Sequence, residues 1–217
     1  MTNSLDDQIR QLKQFIMTSF CESGKKHLLI TGNRKSGKTT VLKEILKDLV
    51  PIEKLQLENP LNEESIYEKK STQKEDFFYK DNHMMEEETN LGGIITYAVR
   101  DDAYMPKYVV LRDINNPDIK GLIAKRDIET NSFRPIPETF EHLGVNILRA
   151  YNNSGVDLIV IDEIGYLEVN CLQYQKEIIR CFDRKVIAVI RKELNPFTEI
   201  LTRRQDVFLI DIDTKNK

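Results

Sequence analysis

Apolar positions along the chain fall into runs whose period changes repeatedly. Leu5, Ile9, Leu12, Phe15, Ile16 and Phe20 recur at helical spacing, and Asn3 or Ser4 offers an N-cap. Glu22-Ser23-Gly24 breaks this helix, and Leu28-Leu29-Ile30 is continuously apolar, as a central parallel strand buried on both faces must be. A second amphipathic helix carries Val41, Leu42, Ile45, Leu46, Leu49 and Val50 on one stripe, with Pro51 as its stop.

Further along, residues 92–100, 107–112 and 121–124 predict strands separated by the turn formers Asp101-Asp102 and Asn115-Asn116-Pro117-Asp118. Connections this short imply an antiparallel excursion, closed by Pro135 and Pro137. Residues 138–151 predict a helix with Phe140, Leu143, Ile147 and Leu148 inward. Strands at 158–162, 186–190 and 207–212 then alternate with helices at 172–182 and 197–203, the pattern of a parallel sheet with crossover helices. The expectation is one α/β domain over residues 1–217, a three-layer fold with a mainly parallel central sheet and an antiparallel hairpin excursion.

Two segments stand apart: a helical extension at 1–24 and an insertion or lid at 53–90. The second holds eleven Asp or Glu against five Lys, yet Tyr67, Phe77, Phe78 and Tyr79 argue that part of it docks on something. A partly disordered insertion without catalytic importance explains the same composition. Either segment is a candidate surface for a protein partner.

Charge and cysteine usage remove several classes. A net charge of −3 offers no broad basic field, so a nucleic-acid partner is not supported. Apolar runs such as Leu158-Ile159-Val160-Ile161 fall far short of a membrane span, and Asp6 and Asp7 stand where an export signal would carry positive charge. The expected location is the cytoplasm. Cys21, Cys171 and Cys181 form no CxxC pair, which suits reduced thiols and argues against structural zinc, with Cys171 a packing residue on a helix.

Candidate chemistry begins at Gly32-Asn33-Arg34-Lys35-Ser36-Gly37-Lys38-Thr39, which satisfies GxxxxGK[ST] in full, with Thr40 following. Glycine at both ends lets backbone N–H groups point into one concavity, and the next helix presents its N-terminal dipole to the same anion. Lys38 is expected to reach the β- and γ-phosphates of a nucleoside triphosphate, and the Thr39 hydroxyl to ligate Mg²⁺. Arg34 and Lys35 either add field at the phosphates or are simply solvated.

The second site is an apolar strand ending in Asp162-Glu163, at the edge where open α/β sheets bind ligands. Adjacent strand residues face opposite sides, so the two acids can take different roles. Asp162 is the candidate for holding Mg²⁺, usually through water, and Glu163 for orienting and deprotonating an attacking water. For Glu168, charge stabilisation at a helix N-terminus comes ahead of a direct catalytic role.

Ile161-Asp162-Glu163-Ile164-Gly165-Tyr166-Leu167-Glu168 resembles the "DEIGxME" stretch of the THEP1-type nucleoside triphosphatases, and Gly92-Gly93-Ile94-Ile95-Thr96-Tyr97-Ala98-Val99-Arg100 resembles that family's "GGFxTxEVR". The phosphate loop and the closing strand, helix and strand at 186–216 agree with it. The resemblance implies a RecA-like arrangement and slow, Mg²⁺-dependent hydrolysis of several nucleoside triphosphates with little base selectivity. It also places Thr96 and Arg100 in a functional segment, with Arg100 a candidate catalytic cation or a surface ion-pair partner. Ala98 replaces a glutamate common in the family, and residues 104–108 lack its usual glycines, so the hairpin's role is altered or lost.

Two other classes share these motifs. A nucleotide or small-metabolite kinase would pass phosphate to a bound hydroxyl and would want an arginine-bearing lid, whereas 53–90 contains no arginine. A nucleotide-driven switch would act through a protein partner, but no NKxD guanine-reading signal is present. Arg191, Lys192, Arg203 and Arg204 are further cations that either approach nucleotide or a neighbouring subunit, or are solvated.

Overall fold

The computed structural model describes residues 5–49 and 89–215. Asn3, Ser4, Pro51 and nearly all of the acidic stretch lie outside them. Eight strands form one sheet in the order β5-β4-β3-β2-β6-β7-β1-β8. They are β1 (His27–Thr31), β2 (Leu91–Arg100), β3 (Pro106–Asp113), β4 (Lys120–Arg126), β5 (Phe133–Pro135), β6 (Leu158–Ile164), β7 (Lys185–Ile190) and β8 (Val207–Asp211). Neighbours from β2 through β8 pair in parallel, while β2 to β5 form an antiparallel meander.

β1 shows why the central strands read as unbroken apolar runs: all five of its residues are buried. Leu28 and Ile30 face one core with α1 (Leu5–Ser23) and α2 (Lys38–Leu49), and Leu29 faces the other. That second core holds residues of α3 (Val145–Asn152), α4 (Leu172–Cys181) and α5 (Pro196–Thr202), which completes three layers.

Some boundaries move. Pro135 ends a short edge strand instead of only closing the excursion, and the ring costs no ladder bond the edge needs. The helix expected at 138–151 begins with Pro137–Thr139, passes through a π-helical Phe140–Gly144 and only then becomes α3. Nor is α1 an appendage: Ile16 is fully buried, and Leu12, Met17 and Phe20 pack on the α2 side of the sheet. Leu5 and Phe15, counted on its apolar stripe, are exposed. The inward stripe is therefore occupied by the domain itself.

Gly92 and Gly93 fix the junction of the parallel and antiparallel parts. Gly93 has φ +133°, and a Cβ there would lie 2.0 Å from the Val160 carbonyl oxygen on β6. Gly92 leaves no room either, because a Cβ would lie 2.1 Å from the Tyr151 ring. Backbone atoms cannot yield as a flexible side chain can. Gly93→Ala is expected to destabilise the fold by about 3 kcal/mol or more, measured by chemical denaturation.

Candidate functional site

β1, β6 and β7 run parallel and deliver their carboxyl ends to one edge of the sheet, where a cleft of about 560 Å³ opens. Gly32, Arg34 through Thr40, Glu163, Arg191, Lys192 and Glu193 line it. The loop after β1 takes positive φ at Gly32 (155°), Lys35 (65°) and Gly37 (91°), which curls it tightly, and the Ser36 N–H donates to the Asn33 carbonyl at 3.2 Å across the turn. Asn33 turns away, donating its backbone N–H to Asp213 Oδ2 at 2.6 Å. Within the loop, the Lys38 ammonium donates to the carbonyls of Gly32 and Asn33 at 2.9 and 2.8 Å. Ser36 Oγ is buried and has no hydrogen-bond partner among the described residues.

Behind the loop, Thr39 Oγ1 donates to Asp162 Oδ1 at 3.0 Å. Asp162 is almost fully buried; burial, with the nearby Glu163 charge, raises its carboxyl to about 7 against hydrogen bonds from Thr39 and the Thr96 backbone. The ladder between β6 and β7 shifts register between Asp162 and Ile164, so the neighbouring acid departs from simple alternation. Glu163 is half-buried, lines the cleft and forms an ion pair with Arg191.

The outlying candidates separate clearly. Arg100 is exposed on the hairpin, where Nη1 donates to the Tyr104 carbonyl at 2.8 Å, and it does not line the cleft. Arg203 pairs with Glu199 and Arg204 with Asp206, away from the loop. Lys192 lies between Asp211 and Asp213 at 2.8 and 3.1 Å. Cys171 is buried, which pushes its thiol up to about 11 and suits packing.

Glu168 corrects the helix-terminus expectation. It is 2% exposed and its carboxylate accepts the Gly165 backbone N–H, tying together the turn after β6 instead of facing a helix end. Arg191 was visible in sequence only as one cation among several. Its pairing with Glu163 depends on β7 lying beside β6, a neighbour relation that no local pattern encodes.

A phosphate-cradling loop, an acid-tipped strand beside it and the strand order around them define a P-loop nucleotide-binding protein of the RecA-like kind. The sequence family described as NTPase matches residues 72–217. The nucleoside-triphosphatase THEP1 of Thermotoga sp. (strain RQ2) is 30% identical over 135 residues, spanning 59% of this chain and 75% of the relative. Its Thermotoga maritima counterpart is 29% identical over 135 residues, with the same shares of 59% and 75%. The crystal structure of THEP1 from the hyperthermophile Aquifex aeolicus shares the fold, with a TM-score of 0.56 at 18% identity over 88% of this chain and 92% of that one. The chain belongs to the THEP1-type nucleoside-triphosphatase family. Among the described residues no helix is long and apolar enough to cross a membrane.

Glu168 carries a pH signature. Burial raises its carboxyl from 4.5 to about 7, so the folded protein holds a proton the unfolded chain has released between those values. Its contribution to stability is present at low pH and declines as pH rises from 4.5 through 7. Relative to Glu168→Gln, the native protein is expected to lose about 3 kcal/mol over that window, read from denaturation curves at successive pH values.

Proposed function

We propose that the chain hydrolyses nucleoside triphosphates to the diphosphate and phosphate, with Mg²⁺ and little selectivity for the base. The observation that carries this reading is the cleft itself. Five cations, Arg34, Lys35, Lys38, Arg191 and Lys192, line it against two acids, Glu163 and Glu193, around the glycine-bounded loop. A polyphosphate tail matches that charge and shape.

Thr39 and Asp162 supply a pair of hard oxygen donors 3.0 Å apart, which suits Mg²⁺ better than a soft metal. Among the described residues no group of three or more His, Cys, Asp or Glu can hold a metal. A small donor set fits an ion that keeps waters and takes phosphate oxygens for the rest. When bound there, Mg²⁺ supplies charge neutralisation for the phosphate oxygens.

Lys38 stands ready to exchange its two carbonyl acceptors for β- and γ-phosphate oxygens, and Ser36 Oγ adds a donor. Glu163 orients a water and takes its proton as the water oxygen bonds to the γ-phosphorus. The bond from that phosphorus to the bridging oxygen breaks, and the electron pair leaves with the diphosphate. Arg100 has no part in this scheme.

Phosphate release from ATP, GTP, CTP and UTP tests the proposal, with and without a Mg²⁺ chelator. Release from several nucleotides is expected, and chelation should abolish it. Lys38→Ala should lose binding and turnover together, whereas Glu163→Gln should still bind while kcat falls about 10² to 10³-fold. Tight binding without release would overturn hydrolysis and direct attention to a phosphate acceptor or a triggering protein.

A further inference from the structure

Arg191 follows the last residue of β7 and is held from several directions. Its backbone N–H donates to the Ile164 carbonyl at 2.9 Å. Its guanidinium lies over the Tyr166 ring, 4.6 Å from the centroid, and its aliphatic stem passes over Gly165, where a Cβ would lie 2.6 Å from Arg191 Cδ. The side chain is 29% exposed and its Nε pairs with Glu163 Oε1. An ordinary surface ion pair has none of this scaffolding. A planar guanidinium fixed against a ring and a glycine is pre-organised for an oxyanion.

The other cleft cations are differently engaged. Lys38 is buried under its own loop, Lys192 is shared by Asp211 and Asp213, and Arg34 and Lys35 are exposed on the loop's outer turn. Arg191 lines the same cleft but is tied to the one carboxylate that the hydrolytic scheme needs free.

We propose that Arg191 is the terminal-phosphate cation of this chain, acting in cis. It holds Glu163 in an ion pair until a nucleoside triphosphate enters, then exchanges that carboxylate for a γ-phosphate oxygen. The exchange stabilises charge on the transferred phosphoryl group and releases Glu163 to the attacking water, so assembly of the base is coupled to the presence of a third phosphate. A diphosphate does not reach Arg191 and leaves the pair closed. This inference rests on the hydrolytic reading above, but its binding signature does not require turnover.

The test combines phosphate-release kinetics with calorimetric titration of ADP and of the β,γ-imido analogue of ATP, on native protein, Arg191→Gln and Arg191→Lys. For Arg191→Gln, kcat is expected to fall about 10³-fold, analogue affinity to drop at least about tenfold, and ADP affinity to stay within about threefold. Arg191→Lys should recover part of kcat and of the analogue affinity, and it serves if the glutamine protein does not fold. Equal loss of ADP and analogue binding would mark a merely structural residue and overturn the proposal, as would unchanged kcat with an unchanged analogue-to-ADP ratio. Should the native protein release no phosphate, hydrolysis fails, and the ratio alone still decides whether Arg191 reads the third phosphate.

Discussion

The hydrogen bond from Thr39 to Asp162 joins residues 123 positions apart and exists only because two parallel strands deliver their ends to one edge of the sheet. β1 must enter the sheet between β7 and β8, buried on both faces, for its following loop to emerge near the carboxyl end of β6. β7 lies between them and fixes their separation. Everything chemical in the cleft depends on that arrangement, since neither the loop nor the acids carry their own scaffold.

Burial then sets the electrostatics. Asp162 and Glu168 are both raised to about 7 by desolvation, and they sit behind the cleft while the cations line it. Each buried acid is tethered by backbone or hydroxyl donors: Asp162 by Thr39 and Thr96, Glu168 by Gly165. The resulting wall is polar and pre-organised, and it places the half-buried Glu163 between the loop and Arg191. Such a site favours ligands of high negative charge over neutral ones.

The parallel segments were legible because their signals are strong and local. A strand buried on both faces reads as a continuous apolar run, and an amphipathic helix reads as a stripe. β5 was not legible, since three residues containing a proline carry no period. The π-helical turn at Phe140–Gly144 escaped for a related reason: its residues keep a helical apolar pattern while the backbone widens. Phe15 recurs at the helical spacing of α1 yet is exposed, because spacing marks a broad stripe and packing against the sheet and α2 decides its centre.

By itself the sequence determined the phosphate loop, the acid-tipped strand, the order of elements and the family to which they belong. These are encoded in residues close together along the chain, where steric and hydrophobic preferences act directly. Tertiary structure alone decided which charges meet. Arg191 reaches Glu163, Asp213 takes the Asn33 N–H, and Glu168 turns inward to Gly165, while Arg100 stays on its hairpin. The physical reason is that charged side chains have no periodicity to announce their partners. Their pairing follows from strand order, and strand order is set by the burial of the whole sheet.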